Sequence, residues 1–254
     1  MPRYFLNLSY HGGAYNGWQI QDNTTKTVQE VLQSAMGKLL PEEKAFVTGC
    51  GRTDTGVHAA DFYAHFDTKR DDVHIDPKDF LYKLNRALPH DIAIKRILPV
   101  HEKASARFDA ISRTYEYRIC RYKNPFYNEN AWLVYGELNL PAMENAAQII
   151  AQTKNFKSFA KANDQPHDND CIIYESRFIC TDELLIYRIS ANRFIRNMVR
   201  AITGTLVEIG KEKILPQDLP RIISDKNRKS AGLSAPAKGL SLVHVGYPEN
   251  FFRS

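Results

Sequence analysis

Apolar spacing in this chain alternates between a period of two and a period near 3.6. It does so in one fixed order, and the order occurs twice. In the first pass a strand is predicted at Arg3–Tyr10. A helix follows at Thr27–Leu40, with Val28, Val31, Leu32, Met36 and Leu39 on one face and capping-box spacing between Thr27 and Glu30. Two strands follow, at Lys44–Gly49 and at Ala60–Asp67, where Ala60, Phe62, Ala64 and Phe66 alternate as in a half-buried strand. A second helix takes Asp76 as N-cap and Pro77 in its first turn, with Phe80, Leu81, Leu84 and Leu88 inward. Ile92–Pro99 closes the pass as a strand. The second pass repeats this order. It has a strand at Arg113–Arg121 with Tyr115, Tyr117 and Ile119 on one face, a helix at Pro141–Thr153, and strands at Cys171–Cys180 and Glu183–Ala191. A helix at Phe194–Ile209, a helical insertion at Pro216–Ser224 and a strand at Ser241–Tyr247 complete it. Two β-α-β-β-α-β passes predict an α+β protein of two ferredoxin-like halves, residues 1–105 and 106–254. Helices on one face of each sheet would leave the other face open as a cleft. The polar stretch Lys161–Asp170 is expected to be a mobile loop.

With 254 residues, 43% of them hydrophobic, the chain has enough apolar material for such a core. No run of 18 apolar residues occurs, so no transmembrane helix is expected. Met1–Leu8 reads as a strand and not as a secretory leader. Cys50, Cys120, Cys171 and Cys180 form no C-x-x-C pair and are expected as reduced thiols of a cytoplasmic protein. Residues 1–105 carry 13 Lys and Arg against 13 Asp and Glu, whereas residues 106–254 carry 21 against 16. The positive excess lies wholly in the second half, which suits a polyanionic partner contacted mainly there.

The densest chemistry lies in Gly51-Arg52-Thr53-Asp54-Thr55-Gly56-Val57-His58-Ala59-Ala60. Asp54 sits in a polar segment entering a strand, where a scaffold can hold a carboxylate rigidly. Taken alone, Asp54-Thr55-Gly56 also reads as an ordinary turn. It spells the aspartic-protease triplet too, but that chemistry needs two such carboxylates, and this chain has a single D-T-G. A dehalogenase-like phosphatase would need a second Asp where Gly56 stands. His58 and His65 lack further ligands at metal-binding spacing, so no metal is expected, and His58 is free to hydrogen-bond the loop.

The whole string G-R-T-D-T-G-V-H-A resembles the signature of the tRNA pseudouridine synthase A family. So do Tyr10–Gln19, Ala106–Ala110, Arg113–Tyr117, Phe194–Arg200 and Ala235–Leu240, in the family's order and over residues 3–248. The resemblance implies a pseudouridine synthase fold, in which the two halves form a mixed sheet with a central RNA-binding cleft. It implies isomerisation of uridine to pseudouridine at positions 38, 39 and 40 of the tRNA anticodon arm, with no cofactor, by a homodimer. A non-catalytic RNA-binding protein is the alternative of a different class. The joint presence of Arg52, Asp54, Tyr115 and Arg200 speaks against it.

The resemblance also assigns roles. Asp54 is the nucleophile, and Arg200 stands beside it and favours its charged form. Tyr115 stacks on the target base and is a candidate proton acceptor. Arg52 contacts the RNA backbone and Leu240 lines the pocket; Arg196, which the family pattern does not supply, is read as a further candidate substrate contact. Arg193, Arg196, Asn197 and Arg200 are expected on the polar face of the Phe194–Ile209 helix. Arg196-Asn197 replaces two histidines frequent in the family, and Ser241 replaces a frequent aromatic.

Overall fold

The computed structural model describes residues 1–24, 26–41, 46–68, 77–161 and 168–252. Strand β1 (Arg3–Tyr10) buries Phe5, Leu6 and Leu8 completely. Helix α1 (Val28–Leu39) starts where expected. The Thr27 hydroxyl accepts the Glu30 backbone N–H at 3.3 Å, and Val28, Leu32, Ala35 and Met36 face inward. Next come β2 (Thr48–Gly49) and β3 (His58–Asp67), then α2 (Pro77–Ala87) and β4 (Ile92–Val100). The proposed cap Asp76 lies outside the described residues. β1 runs antiparallel to both β3 and β4, and β2 pairs with β3. Both helices cover one face, as Phe66 stacking on Phe80 of α2 illustrates (ring centroids 6.3 Å apart).

The opposite face of this sheet is covered in part, and β3 is buried on both sides from Phe62 to Phe66, while Ala60 of β3 and Ala93 and Arg96 of β4 are exposed. Tyr63 and His65 are buried along with their neighbours Phe62, Ala64 and Phe66. The end of the chain is the cause. Tyr247, Phe251 and Phe252 lie on that face, with Phe252 at 5.6 Å from Tyr63 and Phe251 at 5.5 Å from Phe5. Alternation within β3 alone carries no trace of a cover 180 residues away. His65 is neutral there: its Nδ1 accepts the Ala106 N–H at 3.1 Å, and burial lowers its pKa.

The second half begins with β5 (Ser112–Cys120) and β6 (Trp132–Leu133), which pair in parallel. Helix α3 (Leu140–Gln152) is capped by Asn139, whose side chain accepts the Ala142 N–H. Then come β7 (Ile173–Cys180), β8 (Leu184–Ala191), α4 (Met198–Gly210) and α5 (Leu219–Ser224). β8 lies antiparallel between β5 and β7. One face of these strands packs under α3, where the Ser176 hydroxyl donates to the Ala147 carbonyl at 2.8 Å. The other face carries a half-buried ladder in which Arg188 bonds Glu116 at 2.6 Å and Glu175 at 3.1 Å. Most of the Lys161–Asp170 stretch lies outside the described residues.

Two compact units result: Met1–Ile111 with Leu242–Ser254, and Ser112–Ser241. The last strand, β9 (Leu240–Gly246), closes the second pass in sequence, yet from Leu242 onward it belongs to the first unit. There Asp61 of β3 accepts the Val245 N–H at 3.3 Å and the Asn7 side-chain N–H at 2.6 Å.

Helix α4 differs from the expectation in two ways. It begins at Met198, because Asn197 sits in the left-handed region at φ 69° and breaks the helical run. Arg193 and Arg196 therefore lie in the preceding loop and not on a helical face. Nor is the helix two-faced: of its thirteen residues only Arg200 and Glu208 are not buried. The strap of residues 228–239 covers its second side, and Gly204 permits this. A β-carbon at Gly204 would stand 1.7 Å from the Leu233 carbonyl oxygen.

Candidate active site

Asp54 opens a tight turn. Its backbone carbonyl accepts the Val57 N–H at 3.1 Å, and Gly56 takes φ 78° at the third position, as a type II turn requires. The Asp54 side chain is half-buried, whereas Arg52 is exposed. The turn rests on residues forty positions earlier. The Tyr15 carbonyl accepts the Gly56 N–H at 3.2 Å, and the Thr53 carbonyl accepts the Trp18 N–H at 3.3 Å. The Tyr10 and Thr53 hydroxyls are 2.9 Å apart. His58 follows the turn, and its Nδ1 accepts the Gly12 N–H at 3.0 Å, so this histidine fixes the loop by its unprotonated nitrogen.

Two glycines make the approach possible. A β-carbon at Gly12 would lie 1.9 Å from the Val57 oxygen. At Gly17, where φ is 84°, it would lie 2.5 Å from the Thr53 oxygen and 3.2 Å from the Asp54 carbonyl carbon. The Tyr10–Gln19 segment is thus the bed on which the carboxylate loop is set.

Tyr115, Arg196, Arg200 and Leu240 belong to the second unit. Tyr115 is half-buried on β5, and its ring meets Phe194 edge-on, with centroids 5.2 Å apart and planes at 86°. Arg200 lies in the first turn of α4. Its Nε donates to the Ala235 carbonyl at 2.8 Å, and its own carbonyl accepts the Ala235 N–H at 2.9 Å. Arg196 is exposed, and its carbonyl accepts the Lys161 N–H. Leu240 is buried at the start of β9. Tyr117, fully buried, donates its hydroxyl to the Pro236 carbonyl at 2.7 Å, and its pKa is pushed up by desolvation. Among the described residues no cluster of His, Cys, Asp or Glu is arranged to hold a metal ion, and no helix is long and apolar enough to cross a membrane.

Residues 146–248 match the sequence profile of a family described as tRNA pseudouridine synthase. Relatives extend the match to the whole chain. The tRNA pseudouridine synthase A of Bacteroides fragilis is 41% identical over 253 residues, covering 99% of each chain. That of Bacteroides thetaiotaomicron is 42% identical, covering 99% of this chain and 93% of its own. That of Clostridium acetobutylicum is 38% identical, covering 95% and 98%. The chain belongs to the tRNA pseudouridine synthase A family. It is accordingly an isomerase, with the α+β pseudouridine synthase fold.

Membership gives the bedding of Asp54 a meaning that sequence reasoning missed. The Tyr10–Gln19 motif is visible as a string, but the carbonyls that Gly12 and Gly17 abut are distant in sequence. In this synthase Gly17→Ala is expected to shift the Thr53–Asp54 backbone. Such overpacking costs about 1–3 kcal/mol. Displacing a reactive group by an ångström costs roughly 10²-fold in rate. Thermal unfolding and single-turnover assays on the same sample check both. A Gly17→Ala protein with wild-type turnover would show that the segment does not set the loop.

Proposed function

We propose that this chain isomerises uridine to pseudouridine at positions 38, 39 and 40 of the tRNA anticodon arm, with Asp54 as covalent catalyst. One observation carries the reading: the carboxylate of the family signature is half-buried on a turn seated on distant glycines. Such a setting suits a preorganised nucleophile.

The reaction breaks the bond between N1 of the base and C1′ of the ribose. The base turns, C5 bonds to C1′, the C5 proton leaves and N1 gains a proton. Atoms and electrons balance without oxidant or water, so the chemistry requires neither metal nor cofactor. Asp54 supplies the anionic nucleophile. Arg200 supplies positive charge to the reaction, the role that the family's motif gives an arginine at this position. The Tyr115 ring stacks on the base, and its hydroxyl serves as the acceptor for the C5 proton. Arg52 holds RNA backbone, Leu240 supplies an apolar wall and Arg196 contacts substrate. The exposure of Arg52 and Arg196 and the half-burial of Tyr115 are in keeping with these roles.

Pseudouridine mapping in tRNA from cells lacking the protein tests this reading. Loss of the modification at 38–40 is expected, and its retention there would refute the reading.

The enzyme is proposed to act in the cytoplasm as a homodimer. A 29.1 kDa chain is small beside a whole tRNA, so a second copy can hold the body of the RNA while one site engages the anticodon arm. Light scattering at micromolar protein should give about twice the chain mass. A fully active monomer would contradict it.

A further inference from the structure

Arg228 spends a guanidinium on neutral acceptors. Its Nη1 donates to the Gly232 carbonyl at 2.9 Å and, more weakly, to the Ala231 carbonyl at 3.4 Å, and its Nη2 donates to the Ser234 hydroxyl at 2.8 Å. It is half-buried, and desolvation lowers its pKa. Taking a cation out of water for uncharged partners is costly. The strap it grips is held by further bonds. Thr205 accepts the Gly232 N–H at 3.0 Å, and Asn197 donates to the Ser234 hydroxyl at 2.8 Å. Tyr117 donates to Pro236. Arg200 is tied to Ala235 by both its Nε and its carbonyl. Arg228 thus fixes residues 231–234, and the next residue sets the guanidinium of Arg200.

We propose that Arg228 is a positioning residue for the isomerisation, acting through the 231–235 strap to aim Arg200. The proposal rests on the function proposed above. The planar fork matters as much as the charge, since two acceptors two residues apart along the strap, the Gly232 carbonyl and the Ser234 hydroxyl, must be reached at once. Lysine, a point donor, keeps the charge but not the span.

Single-turnover rates and RNA dissociation constants of Arg228→Lys, Arg228→Met, Ser234→Ala and Lys229→Ala test it, with melting temperatures alongside. Lys229 is exposed on the same turn, so Lys229→Ala removes the same unit of charge while leaving the Arg228 bonds to Gly232 and Ser234 in place. Misaiming a catalytic-site group costs on the order of 10–10²-fold in rate. Both Arg228 variants are expected to lose that much, with RNA affinity within about threefold of wild type, while Lys229→Ala keeps the wild-type rate. Ser234→Ala removes only the hydroxyl that Arg228 and Asn197 share. It is expected to slow turnover without unfolding, which keeps the test open should Arg228→Met fail to fold. Wild-type rates in Arg228→Lys and Ser234→Ala would overturn the proposal. So would an equal loss in Lys229→Ala, or a loss confined to RNA affinity. A wild-type protein that forms no pseudouridine would defeat the functional reading and this inference together. An active wild type with unaffected variants would defeat this inference alone.

Discussion

Asp54→Asn is expected to lower the single-turnover rate by at least about 10⁴-fold, the scale on which an enzyme loses activity with its nucleophile. Asparagine matches aspartate in size and keeps most of its hydrogen bonding, but it has no charge and little nucleophilicity. The turn itself is held by backbone bonds, from the Asp54 carbonyl to Val57 and from Tyr15 to Gly56, and these survive the substitution. Folding is therefore expected to be intact, and thermal unfolding should show stability equal to wild type or higher, since active-site residues are often electrostatically costly. RNA affinity is expected to stay close to wild type, because phosphate contacts dominate it. A variant retaining a tenth of the wild-type rate at saturating enzyme would remove Asp54 from the nucleophile's role.

The second large effect concerns Tyr115. Phenylalanine preserves the ring and its edge-on contact with Phe194, so positioning of a stacked base is retained. Only the hydroxyl is lost. Proton transfer by a placed side chain contributes about 10²–10⁴-fold, and Tyr115→Phe is expected to fall by that much at unchanged RNA affinity. Tyr115→Ala loses the ring too, and both rate and base positioning should suffer. If Tyr115→Phe turns over like wild type, the hydroxyl handles no proton and only the stacking role remains.

Much of this architecture was legible in the sequence because its signals are local. Thr27 and Glu30 lie within one turn of each other, and the helix they open begins at Val28. The strand positions in both passes follow from short alternating runs. The start of α4 was not legible. Phe194 and Ile195 continue the helical periodicity, yet Phe194 is there to meet Tyr115, and no pattern reveals that Asn197 adopts a left-handed backbone. The burial of α4 on its second side was hidden likewise, because the strap that covers it comes thirty residues later. The same holds for Tyr63 and His65 under the C-terminal rings. Asp54, Arg52, Tyr115, Arg200 and Leu240 came from motif resemblance. What the motifs concealed was support: Gly12 and Gly17 beneath the Asp54 turn, and Arg228 behind Arg200. These residues act through tertiary contacts, for which a single sequence carries no signal.

The most direct test uses an unmodified tRNA transcript carrying tritium at C5 of its uridines. Each isomerisation sends one C5 proton to solvent, so release of label counts turnovers without separating products. Wild-type protein in excess over RNA should release label from positions 38–40 that contain uridine, and sequencing should place pseudouridine there. Asp54→Asn, bound to the same RNA with similar affinity, should release essentially none. Release by Asp54→Asn at a rate near wild type, or no release by the wild-type protein, would contradict the account.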